Sequence, residues 1–147
     1  MKHLLHLAAI AALALPAAAG AETFRNIIGD AANIQRDAEK LSRDLKQKAL
    51  DETQVKQDIS ALNQDVAKLK QDVTELDGKL GQMTEAQKKD WDLVKTKAEL
   101  LTIFAARKQT LMDSGEFRKN RSMLRAHADG IAKRAAMLQQ TANKLDK

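Results

Sequence analysis

The sequence predicts an all-α protein, a long antiparallel helical hairpin or coiled coil whose second arm is broken or kinked near Gly115. Three observations lead there. Apolar residues recur with seven-residue spacing through the first half of the chain. Two glycines, three apart, sit midway. The halves on either side differ in charge, so they suit one another better than each suits itself.

The chain starts Met1-Lys2-His3, and a mostly apolar run follows from Leu4 to Leu15, interrupted only by His6. Pro16 breaks the run, and the residues from Ala17 to Ala21 are small. A cationic start, an apolar centre and an A-x-A ending form the pattern of a cleavable secretory leader. Residues 1–21 are therefore expected to be removed, leaving residues 22–147 as one helical domain, periplasmic or secreted. A run of about 12 apolar residues falls short of the roughly 20 that span a bilayer. The sequence has no Cys. That excludes disulfides and a Cys-linked lipid anchor, and leaves packing as the source of stability.

The one Pro lies in the leader, so no ring interrupts a helix beyond residue 21. Arm one is expected over about 24–77. One heptad position holds Ala31, Ala38, Leu45, Glu52, Ile59, Val66, Val73 and Leu80. Its partner holds Ile27, Ile34, Leu41, Lys48, Val55, Leu62, Leu69, Leu76 and Met83. These are a and d positions of a coiled coil, and only Lys48 and Glu52 are polar. Asp30, Asp37, Asp44, Asp51, Asp58, Asp65 and Asp72 fill seven successive g positions. Antiparallel pairing of this arm with a copy of itself would set Asp against Asp and repel. A parallel copy, or a different and more basic helix, is the partner the charges favour.

The turn is expected over about 78–84, where Gly78 and Gly81 precede Thr84-Glu85-Ala86-Gln87, a capping box that starts a helix. Arm two is expected over about 85–113 and 116–146. Its first stripe is Trp91, Val94, Ala98, Leu101, Ala105 and Met112, widened by Leu93, Leu100, Phe104 and Leu111. Beyond Gly115 the stripe changes phase and alternates Leu or Ile with Ala from Leu124 to Leu145. The first arm, Glu22 to Met83, carries 10 basic and 12 acidic residues, and the second, Thr84 to Lys147, carries 14 and 8. At about 1.5 Å per residue each straight arm would be roughly 80–90 Å long.

No catalytic set is visible. His127 is the single His beyond the leader, and its i±4 neighbours are Met123 and Ile131, so no metal pair forms. Its place beside the stripe predicts a surface or rim residue. No cofactor, no metal and no enzyme activity are expected. Two candidate binding faces stand out. One is a basic row for an anionic partner, Arg118, Arg121, Arg125, Lys133 and Arg134. The other is an apolar face, Trp91, Leu101, Phe104 and Leu111, broad enough to suggest oligomerisation.

Two short segments resemble known families. QDVAKLKQDV at 64–73 resembles the rod of murein lipoproteins, which join a terminal Lys to peptidoglycan; this chain ends in Lys147 but lacks their lipidated Cys. Met83-Thr84-Glu85-Ala86-Gln87 is similar to the LTxxQ signature of Spy-type periplasmic chaperones. The functional expectation is a non-enzymatic exported coiled-coil protein of the bacterial envelope, with a periplasmic holdase-like chaperone as the alternative. The expected partner is an envelope protein; a second copy and an anionic membrane surface are the other partners the pattern admits, and nucleic acid is not expected.

Overall fold

A computed structural model describes residues 16–147, with side chains from Phe24 onward. The cationic and apolar parts of the predicted leader, residues 1–15, lie outside the described residues. The all-α class stands: the described residues form five helices and no strand. They are α1 (Pro16–Lys46), α2 (Glu52–Asp77), α3 (Glu85–Ala106), α4 (Gln109–Asp113) and α5 (Arg121–Asn143). None is long and apolar enough to cross a membrane.

The turn forms where the glycines and the capping box place it. Thr84 Oγ1 accepts from the Gln87 N–H at 3.1 Å, and Gln87 Oε1 accepts from the Thr84 N–H at 2.9 Å. Both bonds of the box are made, which fixes the first residue of α3. Neither turn glycine uses a left-handed backbone; among the described residues only Gly115 does, at φ +72°.

Arm one, expected as one helix over 24–77, instead breaks over 47–51 and folds back on itself. Asp51 caps α2 by accepting from the Gln54 N–H at 3.0 Å. Lys48 and Glu52, the two polar residues on the seam, fall at this bend and stay exposed, while Leu50 tucks into the core. A straight helix would have carried both charges along the apolar seam; bending puts them in water. Arm two, expected as helices over 85–113 and 116–146, is interrupted twice, over 107–108 and over 114–120, with α5 beginning at Arg121. The arms are therefore not 80–90 Å rods: the longest helix, α1, has 31 residues, about 46 Å.

The hairpin is still present in the pairing. Arg25 meets Asp146, Glu52 meets Arg118, and Asp77 meets Lys95. One number climbs as the other falls, so the two arms run antiparallel throughout. The doubled chain is then bent at its middle, at 47–51 on one arm and 107–120 on the other. Each helix packs on two antiparallel neighbours, α1 on α2 and α5, α3 on α2 and α5. The result is an up-down-up-down four-helix bundle in which α4 is a link.

The apolar heptad residues of α1 and α2 are buried. Leu80 and Met83, in the turn, are partly buried and pack against the core. On α5, Leu124, Ala128, Ile131, Ala135, Leu138 and Ala142 are all buried, as is Leu145 just beyond it. α5 packs against α1, which carries fully buried Ala31 and Ala38 of its own. Trp91 closes one end, with its ring 5.9 Å from that of Phe24 and its Nε1–H donating to Asp77 Oδ1 at 2.7 Å. That bond holds the Asp77 carboxyl below the usual carboxylate range.

Candidate interaction face

Bending arm one at Asp51 has an electrostatic consequence. Asp51 is the centre of the seven in-phase aspartates, so folding there stacks the series on itself. Asp44 meets Asp58, Asp37 meets Asp65, and Asp30 meets Asp72. Asp-to-Asp pairing, expected to be avoided, is what forms, within one chain. Lys40 bridges one outer pair, donating to Asp44 at 2.9 Å and to Asp58. Lys68 bridges the other, donating to Asp30 at 2.8 Å and Asp72 at 2.5 Å. The central pair is bridged by no lysine; its ion pair is with Arg36, 3.5 Å from Asp37. Burial, then the hydrogen bond to Asp37, pushes the Asp65 carboxyl up to about 6; burial above all pushes Asp30 to about 6 as well.

The basic row predicted on arm two is divided. Arg118 precedes α5 and pairs with Glu52 of α2 at 3.4 Å. Arg121 and Arg125 are half-buried, and the Arg125 Nε is enclosed without a hydrogen-bond partner. Arg134 follows Arg125 by nine residues, about 180° around a helix at 3.6 residues per turn. It therefore faces α3, where its guanidinium carbon lies 3.6 Å from the Phe104 ring centroid. Its Nη1 donates to the Gly130 carbonyl at 3.1 Å. Helix phase alone separates Arg134 from Arg125, and the start of α5 at Arg121 leaves Arg118 outside the helix, so the five cations do not share one face.

The apolar face is corrected too. Trp91 and Leu101 are 3% and 0% exposed and belong to the core. Phe104 and Leu111 are partly buried against it. The broad stripe of α3 is shared between the bundle interior and its flanks. What remains outside is Leu93, Leu100 and Ile103 on α3, with Met123 and Met137 on α5. Between α3 and α5, Leu100, Met137, Lys97, Lys133 and Arg134 line a cavity of about 300 Å³. Leu100 is 56% exposed and Met137 46%. Among the described residues no carboxylate lies within 4.0 Å of the three cations. An apolar floor under an unneutralised positive rim suits an acidic, amphipathic surface.

His127 is buried, not at the rim. Its ring stacks on Phe104 with centroids 4.9 Å apart, and its Nε2 lies 3.3 Å from the Ala105 carbonyl. Ala105 is in the last turn of α3, where carbonyls lack helical partners. His127 therefore closes that helix end with Nε2–H as donor, and burial holds its pKa below the ordinary value. Among the described residues no group of three or more His, Asp or Glu side chains is arranged to hold a metal ion. Comparison of the chain with protein-family models, with curated proteins and with solved structures finds no match.

Proposed function

We propose that this chain is a non-enzymatic exported protein of the bacterial envelope that works by binding another protein. Its docking face is the α3–α5 groove, and the partner is a segment carrying apolar side chains flanked by carboxylates. The observation that carries this reading is the groove itself: Leu100 and Met137 exposed side by side beneath Lys97, Lys133 and Arg134. Export is supported by the leader pattern of residues 1–21. Photo-crosslinkers at Leu100 and at Met137 should each capture the same dominant neighbour in intact cells. Lys97→Glu with Lys133→Glu should abolish that product, whereas a crosslinker at exposed Gln64 on α2 should not yield it. A smear of products from all three positions contradicts a specific docking face.

A holdase-like chaperone is the second reading, favoured by flexible Met123 and Met137 exposed on the basic arm, since Met side chains adapt to varied partners. In this reading the purified protein suppresses aggregation of an unrelated unfolded client, and no suppression at molar excess rejects it.

A further inference from the structure

We propose that the α1–α2 seam is a proton-operated latch. Its enclosed aspartates Asp30, Asp58 and Asp65, each facing a second carboxylate across the seam, take up protons and hold the helices together more firmly in mild acid than at neutral pH.

The geometry follows from the sequence. Aspartates spaced by seven and centred on the Asp51 cap must meet when the chain folds back there. Two carboxylates in contact repel when both are ionised. One shared proton turns the contact into a hydrogen bond and removes a buried charge. The surroundings leave room for that proton. Asp30 and Asp58 are 4% and 5% exposed, and one carboxyl oxygen of each is enclosed without any hydrogen-bond donor. The central pair has no lysine, and Arg36, its nearest cation, is mostly in water.

The largest charges acting on the pairs come from their own two helices. Lys68 acts on Asp30, on Asp72 and on Asp65, Arg36 on Asp65, Lys40 on Asp58, and Lys40 with Arg43 on Asp44. On α5, Asp146 is taken by Arg25 of α1; on α3, Lys95 is taken by Asp77 of α2; neither ion pair includes a seam aspartate. Burial and the facing carboxylate raise Asp30 and Asp65 to about 6, and raise Asp58 as well, whereas hydrogen bonds from Asp58 and Lys40 lower Asp44, and those from Lys68 and Asp30 lower Asp72 against its burial. The ordinary Asp value is about 4. Between about 4 and about 6 the folded chain therefore holds protons the unfolded chain has released. Stability from this source is complete below the lower value and is lost as pH rises through the upper one. Release of the latch loosens the helix pair that covers one side of the core. That this proton supply is the external medium rests on the export reading above; the latch itself does not.

The test reads the titration directly on the purified full chain, so it is independent of location and partner. Carbon-13 NMR of the Asp carboxyls should show Asp30 and Asp65 titrating near pH 6, and titration of every Asp below about 4.5 would overturn the proposal. A second measurement separates the latch from His127, whose buried neutral ring has the opposite pH dependence. In Asp65→Asn the amide donates to Asp37 at every pH. Its urea midpoint should exceed that of the parent protein near pH 7.5, and the gap should close near pH 5. An Asp65→Asn midpoint lower than the parent's by the same amount at both pH values contradicts the latch.

Discussion

At the scale of single residues, Phe104, His127, Gly130 and Arg134 form a group no periodicity announces. Gly130 lies where a Cβ would come within 2.8 Å of Phe104 Cζ. The ring cannot retreat freely, because His127 and Arg134 also pack on it. Gly130→Ala gains about 1 kcal/mol of helix propensity but overpacks the site by about 1–3 kcal/mol. A net loss of about 1 kcal/mol is expected in urea unfolding, together with a looser Arg134. His127 works with the opposite sign to the aspartates. Its pKa is lowered by burial, so the unfolded chain takes up the proton first, and stability falls as pH drops through the ordinary His range. His127→Phe should lose about 1 kcal/mol with the Ala105 bond at neutral pH. It should also remove the acid-side decline, read as midpoints on either side of about pH 6.5. The place of His127 was legible only as "beside the stripe": its burial depends on α3 ending at Ala106, which nothing in α5 encodes.

At the scale of elements, the legible features were those with local chemistry. The Thr84–Gln87 box and the turn before it each rest on residues within one turn of the event. The apolar stripes were legible for the same reason, since burial follows the seven-residue period whichever partner covers it. The fold-back over 47–51 has a local signal too. Asp51 and Gln54 are spaced as an N-cap and its third helical residue, just before the apolar run that opens at Val55. A long heptad series, polar only at Lys48 and Glu52, outweighed it, because a heptad reports which face is buried and is silent about whether the helix continues. Asp51→Ala should cost about 1 kcal/mol by removing the cap, with amide exchange rising first over the start of α2. The candidate site was less legible. A basic row and an apolar stripe were both present, but helix phase and the sharing of the α3 stripe with the core decide which members reach the surface.

At the scale of the whole molecule, the two halves of unlike charge do pair as arms of a hairpin, and the hairpin is then closed into a bundle. That second bend sets the acidic edge of arm one against itself and leaves Lys97, Lys133 and Arg134 without the acids a straight arm one was expected to supply. The unneutralised groove and the paired aspartates are thus two results of one bend. Core truncation tests the bundle as a unit: Leu138→Ala, at a fully buried position of α5, should cost about 2–5 kcal/mol and unfold all helices together. The bend itself is most directly tested by a distance between α1 and α2. The chain has no native Cys, so spin labels attach only where Arg36→Cys and Gln64→Cys place them. Packed antiparallel helices put these two exposed positions within about 20 Å of each other, labels included. A straight first arm holds them about 42 Å apart, and that longer distance would contradict the fold-back on which the seam and the groove both depend.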